Sequence, residues 1–186
     1  LEYIYFNAIS MNDLDFNNSV FLYAGQNKTG IKVEIGKDAK KIPSYLFTSY
    51  NNDASSSPKI TSLIFEENGS CESIGDGAFK DCTQLLNVEI ANTVKKIGNS
   101  SFSSCLNIVS IKIPNSVTEI GAFAFQNCPS LINIEISSNV VSIGTNAFFG
   151  CSKLVEVYNL SALDITKGSS ANGYIGNYAL NIYTQE

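Results

Sequence analysis

From residue 73 onward the apolar positions fall on a fixed grid. Ile74, Ile97, Ile120 and Ile143 stand 23 residues apart, each followed directly by a glycine, Gly75, Gly98, Gly121 or Gly144. Phe79, Phe102, Phe125 and Phe148 keep the same step, and so do Cys82, Cys105, Cys128 and Cys151. A sustained repeat of this length means a stacked solenoid, in which one unit buries its apolar face only against its neighbours. Within a unit, Leu131, Ile134 and Ile136 alternate as a strand, matched by Leu85/Val88/Ile90, Ile108/Ile111/Ile113 and Leu154/Val157 with Asn159. β-Branched residues dominate these positions, as a pleated surface favours. The pattern predicts one short strand per coil, centred near Ile64, Val88, Ile111, Ile134 and Val157. Successive strands are expected to run parallel, about 4.8 Å apart, with right-handed connections.

Val117 and Ile120 form a second inward pair, and the glycine after it permits either positive φ or close backbone approach. A short helical turn is expected next. Asp76, Asn99 and Thr145 follow the glycine and are good N-cap types, whereas Ala122 is not. The phenylalanine is predicted to point inward. Ala78, Ala124 or Ala147 precedes it, with Ser101 as the exception, and a small residue there suits tight approach of the next coil.

The ends depart from the grid. Residues 1–30 read as a cap-like region with short strands at Tyr3–Phe6 and Val20–Tyr23. Asp13, Asp15 and Asn17 alternate as a calcium loop begins, but Asn18 stands where such a loop requires glycine, so a solvated loop is the expectation. The repeats span 31–160. They begin in degraded form with Val33, Ile35, Ala39, Ile42 and Phe47, and a Ser/Asn/Pro-rich insertion follows at 49–58. Cys71 takes the slot held later by Val94, Val117 and Val140. Residues 161–186 read as a C-terminal cap, with a Gly/Ser/Asn-rich stretch and a last alternating strand near Ala179–Thr184. The whole chain is expected to be one domain.

Composition narrows the function. Of the 186 residues, 44% are hydrophobic and 16% charged, and the net charge is −5. All 12 basic residues are lysine, with no arginine or histidine, which argues against nucleic acid as a partner. The lack of histidine also removes the commonest general base and metal ligand. No GxSxG, P-loop or dinucleotide fingerprint is present, so no catalytic, cofactor-binding or metal-binding residue is assigned and no enzyme is expected. No apolar run approaches a membrane span. Leu1 opens directly on strand-like sequence and reads as an artificial or processed start, with no signal peptide ahead of it. The four ladder cysteines lack zinc spacing and are expected as buried thiols rather than disulfides, although stacked coils bring Cα atoms close enough for bridging. Asn-x-Ser/Thr triplets at Asn27 and Asn99 would carry glycan only in a eukaryotic secreted protein.

The stretch IPNSVTEIGAFAFQNCPSLINIEI, with the Ile, Gly, Phe, Cys and Leu offsets of its neighbours, resembles the BspA-like leucine-rich repeat. Only Pro114 fills the strand-end proline slot of that pattern among the regular coils, and the coil beginning at Lys41 carries the insertion. The resemblance implies a leucine-rich-repeat solenoid in an extracellular or surface-attached protein, commonly bacterial. Some relatives are adhesins that bind host matrix proteins such as fibronectin. The implied partner is therefore a protein of the host-matrix kind, with no nucleic acid and no cofactor. The alternative is a passive spacer that presents another domain. A carbohydrate-acting or carbohydrate-binding role for the Tyr-rich C-terminal part is a third reading.

The candidate contact face is the outward side of the strands. Glu34, Ile64, Glu89, Lys112, Glu135 and Tyr158 form one row, and Lys32, Ser62, Asn87, Ser110, Asn133 and Glu156 form the row beside it. The same positions are also explained as ordinary solubilising side chains. Leu86, Val109, Ile132 and Val155 make a further apolar row, one residue after each coil's first strand position. Either it forms an exposed stripe, or the strand starts one residue later and the row tucks under the preceding turn. The second is expected, because most apolar residues find cover.

Overall fold

The computed structural model describes residues 1–14, 21, 23–25, 30–49 and 56–184. Strands follow one another as β1 (Tyr3–Phe6), β2 (Ile31–Ile35), β3 (Lys41–Ile42), β4 (Ile60–Phe65), β5 (Ser73–Ile74), β6 (Asn87–Val88) and β7 (Lys96–Ile97). They continue as β8 (Ser110–Lys112), β9 (Glu119–Ile120), β10 (Asn133–Ile136), β11 (Ser142–Ile143), β12 (Glu156–Asn159) and β13 (Asn181–Thr184). The pairings among the described residues are parallel and join equivalent positions of adjoining coils, for example Ile134 with Ile111 and with Val157. This is a parallel-strand solenoid, as the period requires.

Each regular coil carries two strands rather than the one expected. The longer strands make one face, in the orders β1-β2-β4-β6 and β8-β10-β12-β13, and the short ones make a continuous five-stranded sheet from β3 to β11. Val117 and Ile120 thus belong to a second sheet, whose two-residue strands are too short to show alternation in the sequence. On the first face no ladder joins β6 to β8 among the described residues.

The core lies between these faces. The triads Leu85/Val88/Ile90 and Leu131/Ile134/Ile136 point into it, fully buried except for half-buried Val88 and Ile90. Ile74, Ile97 and Ile120 enter from the second sheet, and Cys71 is buried in the slot of Val94, Val117 and Val140. Phe21, Phe47, Phe79, Phe102, Phe125 and Phe148 form a continuous stack with ring centroids 5.0 to 5.4 Å apart. Such pairs contribute about 0.5–1.5 kcal/mol each beyond burial. Phe21 joins the stack from a turn and Tyr23 also lies in a turn, so the strand expected at Val20–Tyr23 is not formed at these two residues.

The repeated glycine serves close approach and not positive φ. A Cβ on Gly98 would lie 2.7 Å from the carbonyl carbon of Gly75, and one on Gly121 would lie 2.7 Å from that of Gly98. The backbones of adjoining coils leave no room for a methyl group at these points.

The segment carrying the phenylalanine is not the short helix expected. Two residues per coil sit in the left-handed region: Gly77 and Asp81, Ser100 and Ser104, Phe123 and Asn127, Asn146 and Gly150. A residue with positive φ every fourth position breaks the α-helical ladder. The segment instead bonds outward, Phe79 N–H donating to the carbonyl of Ser101, Phe102 to Ala124 and Phe125 to Ala147, each at 2.8 Å. Intervening residues close i→i−3 turns within the coil, as Cys82 N–H does on Phe79 at 3.1 Å.

The polar residues after the glycine cap the next coil, not their own. Asp13 accepts the N–H of Ser44 at 2.8 Å, the Ser44 hydroxyl accepts that of Asp76 at 3.1 Å, and Asp76 accepts that of Asn99 at 2.8 Å. Asp13 also pairs with Lys41 at 3.0 Å, so this residue of the calcium-loop spacing is a structural tether. Asp15, Asn17 and Asn18 of that spacing, Val20, Leu22, the 50–55 part of the insertion and the Asn27–Thr29 triplet lie outside the described residues. The Asn99 amide nitrogen donates to Asp76 at 3.1 Å, which occupies the atom a glycan would need.

The ladder cysteines are free and buried. Each thiol donates to the phenylalanine carbonyl of the preceding coil: Cys82 to Phe47 at 3.2 Å, Cys105 to Phe79 and Cys128 to Phe102 at 3.3 Å, and Cys151 to Phe125 at 3.1 Å. Cysteine fits this slot because it is small, apolar and still a weak donor. Burial pushes the Cys82 and Cys105 thiols well up and Cys71 to about 11, which removes thiolate chemistry at neutral pH. At the C-terminal end, the Gly173 carbonyl accepts the Phe148 N–H at 2.7 Å and β13 pairs with β12.

Candidate functional site

The strands place the two outward rows in register. Glu34 pairs with Ile64, and Glu135 pairs with both Lys112 and Tyr158. Beside them, Lys32 pairs with Ser62 and Ser62 with Asn87, while Asn133 pairs with both Ser110 and Glu156. Glu89, Lys112, Tyr158, Lys32, Asn87 and Ser110 are exposed; Glu34, Ile64, Glu135, Ser62, Asn133 and Glu156 are half-buried. The rows are interrupted where β6 and β8 fail to pair, between Glu89 and Lys112 and between Asn87 and Ser110.

Both rows run further than the regular repeat indicates. Tyr5 pairs with Glu34 and Tyr3 with Lys32, while Tyr183 pairs with Tyr158 and Asn181 with Glu156. The signal lies in the alternation of YIYF and LNIYT, but irregular spacing hides their place in the rows. Tyrosines therefore close the face at both ends.

The chemistry of the two ends differs. At the N-terminal end the Tyr3 hydroxyl donates to Glu34 at 2.6 Å and the Tyr5 hydroxyl to Glu66 at 2.7 Å. The Lys37 N–H also donates to Glu66 at 2.9 Å. The carboxylate bond pushes Tyr5 up to about 12, and the Tyr5 hydroxyl with the Lys37 N–H holds Glu66 below the usual carboxylate range. These tyrosines are tied down by acids. At the C-terminal end the Tyr158 and Tyr183 rings stack with centroids 4.7 Å apart and 15° between planes. Tyr158 is 38% exposed and Tyr183 44% exposed, so this aromatic platform is open to solvent. Between the ends, Lys112 and Glu135 form an ion pair at 3.0 Å.

Leu86, Val109 and Ile132 are 49%, 40% and 40% exposed, and Val155 is half-buried. The strands do start one residue later, at Asn87, Ser110, Asn133 and Glu156, but the row does not tuck under a turn. Between buried Leu85 and half-buried Val88 the two consecutive residues Leu86 and Asn87 are both exposed.

No group of three or more His, Cys, Asp or Glu able to hold a metal occurs among the described residues, and no described helix is long and apolar enough to cross a membrane. The site is an extended, mixed surface of the kind that solenoids use for contact.

Residues 52–172 match the model of the BspA type leucine rich repeat region, in six copies. The chain belongs to the BspA-type leucine-rich-repeat family. Its fold is similar to that of a leucine-rich-repeat protein of T. pallidum, with a TM-score of 0.63, 22% identity, and coverage of 83% of this chain and 73% of that one. A leucine-rich-repeat protein of Bacteroides ovatus gives 0.56 and 24%, covering 86% of this chain and 43% of that one. The pneumococcal vaccine antigen PcpA gives 0.61 and 19%, covering 94% and 40%. The chain thus spans less than half the length of the last two, and at these identities the likeness is one of fold. No curated protein matches the sequence. BspA-type repeats are generally interaction modules built on a non-catalytic scaffold, which fits the described face.

Proposed function

We propose that the chain is the protein-binding part of a bacterial surface protein and that it engages its partner through the strand face, in the manner of an adhesin. The carrying observation is the pair of outward rows that ends on the open Tyr158/Tyr183 platform. Exposed tyrosines of this kind supply large contact area at low entropic cost and are enriched in binding hot spots. The family's association with bacterial surface proteins supports an extracellular location and a host matrix protein as partner. Immobilised fibronectin is the first probe. Wild-type chain is expected to bind it, and Tyr158→Ala with Lys112→Glu to weaken binding about tenfold or more. Unchanged binding by that variant would remove the strand face from the reading.

A passive spacer is the second reading. Its support is that Tyr3, Tyr5, Lys112 and Glu135 are each satisfied by a partner within the chain. It predicts no binding to fibronectin or to any other matrix protein, whatever is substituted on the face.

A further inference from the structure

The split of the strand face between β6 and β8 uncovers part of the core. Ile111, Ile113, Ile134 and Ile136 are buried, whereas Val88 and Ile90, in the same positions of the coil before the split, are half-buried. β6 also stops at Val88, so Glu89 and Ile90 lie outside any strand, while β10 and β12 run on to Ile136 and Asn159. Three cavities of 480, 290 and 530 Å³ adjoin here. The first shares Glu89 and Ile90 with the second, the second shares Lys112 and Pro114 with the third, and Asn92 lines all three. Together they form a trough across the C-terminal ends of the strands. Two of the three volumes fall within the roughly 300–1,000 Å³ of ligand sites.

The lining of the trough sets the chemistry of its occupant. Phe65, Ile90 and Ala91 give it a half-buried apolar floor. Asn68, Asn92 and Asn115, from three successive coils, are exposed along it, and their side-chain amides make no hydrogen bond among the described residues. A carboxamide offers one acceptor and two donors, which match the C=O and N–H of an extended backbone. Glu66, Glu67 and Glu89 line the first cavity, and no basic residue does. Glu67 and Glu89 are exposed and have no ion-pair partner among the described residues.

We propose that the trough holds an extended peptide segment of a partner protein, with an arginine side chain in the acidic cavity and an apolar neighbour over Ile90. The proposal rests on the reading of the chain as a protein-binding module and gives the partner a chemistry. A guanidinium suits the cavity because its flat face stacks on an aromatic ring such as Phe65 while its N–H groups reach carboxylates. A bare metal ion would use neither the apolar floor nor the amides of the neighbouring coils. A second copy does not fit, since this chain has no arginine and a net charge of −5.

An NMR titration of the isotope-labelled chain with the capped tetrapeptide Leu-Arg-Leu-Ser tests this, with Leu-Glu-Leu-Ser as control. The arginine peptide is expected to shift the backbone amides of Asn68, Glu89, Ile90 and Asn92 and to saturate by low millimolar concentration, and the glutamate peptide to leave them in place. Glu67→Gln and Glu89→Gln, both at exposed positions, should each weaken binding about two- to five-fold, and added salt should weaken it too. Asn92→Ala should weaken it with thermal unfolding unchanged. No shift at these residues with the arginine peptide, equal shifts with both peptides, or shifts confined to Tyr158 and Tyr183 overturn the proposal. The reading of the strand face is judged separately. Fibronectin binding that survives Glu67→Gln with Glu89→Gln, without peptide shifts in the trough, overturns the trough and keeps the strand face. Peptide binding in the trough without fibronectin binding supports the trough and removes fibronectin as the partner.

Discussion

The side-chain oxygen of Asn99 accepts the backbone N–H of Ala122 at 2.9 Å, and at Ala122 the run of such bonds stops. From Asp13 through Ser44, Asp76 and Asn99, each coil caps the next. Alanine has no oxygen to offer the coil of Thr145. Ala122→Asn is therefore expected to stabilise the chain by about 0.5–1 kcal/mol, and Asp76→Ala to cost about 1 kcal/mol, the usual worth of a side-chain cap. Urea unfolding midpoints of the two variants check both signs.

The cysteine ladder gives a second prediction. Cys128 is buried, and its thiol bonds to the Phe102 carbonyl. Cys128→Ala loses that weak bond and leaves a small void, so a loss of about 1–2 kcal/mol is expected. In the native chain, a thiol reagent should modify Cys82, Cys105, Cys128 and Cys151 no faster than the coils open. Rapid modification at neutral pH would contradict the described burial.

Phe125 and Ser101 occupy the same segment of their coils with opposite expectations. Phe125→Ala removes one ring from the middle of the stack and should cost about 3–5 kcal/mol. Glu135→Ala, on the outer row, loses a partly exposed ion pair and should stay within about 1 kcal/mol. Ser101 is fully buried, and its hydroxyl has no hydrogen-bond partner among the described residues, where adjoining coils have alanine. Ser101→Ala should therefore raise stability by about 1 kcal/mol. Thermal denaturation of the three variants separates these outcomes.

The regular positions are legible in the sequence because burial selects residue type coil after coil. Spacing and residue type alone put Ile97, Phe102 and Cys105 inside. The left-handed positions are harder to see. Of Asp81, Ser104, Asn127 and Gly150, one before each cysteine, all but Ser104 are types that favour positive φ. The other slot includes Tyr45 and Phe123, which do not advertise that conformation, so residue type there points to a helical turn. The face is legible only where the step is regular. Tyr5 lies 29 residues before its partner Glu34, and Tyr183 lies 25 after Tyr158, so a 23-residue frame passes over both. The exposure of Leu86, Val109 and Ile132 is hidden because strict strand alternation does not foresee two successive exposed residues, such as Leu86 and Asn87, between Leu85 and Val88.

Stability should vary with pH mainly at the extremes. Asp13 is held below the usual carboxylate range by the Ser44 N–H and by Lys41, and Glu66 by Tyr5 and Lys37. A depressed folded value means stabilisation that is present above the unfolded value near 4 and is lost as pH falls below it. The thiols of Cys71, Cys82 and Cys105 are raised by burial, so their contribution is full below the unfolded value near 8.5 and fades as pH rises above it. The slope is about 1.4 kcal/mol per thiol for each pH unit. Tyr5, raised to about 12, adds to the same limb only above pH 10. With no histidine, the expected profile is a plateau through neutrality, an acid limb below about pH 4, and an alkaline limb opening near 8.5. Denaturant titrations across pH 3–10 check its shape.

Several bonds between the regular coils join a residue to its equivalent one unit away, Asp76 to Asn99, Thr118 to Lys95 and Ser137 to Pro114, each 23 residues apart. None of these reaches across two coils. Excision of 98–120 would bring Ile97 directly before Gly121 and recreate the same Ile-Gly junction, with every ladder able to close. Deletion of one residue inside a coil would instead displace each strand that follows by half a pleat. Change in the length of the regular coils, from residue 73 to 160, is therefore quantised, whereas the 49–58 insertion falls between β3 and β4, outside the described ladders. Within them whole coils can be gained or lost by duplication and excision, while a fraction of a coil placed in a strand would break the register.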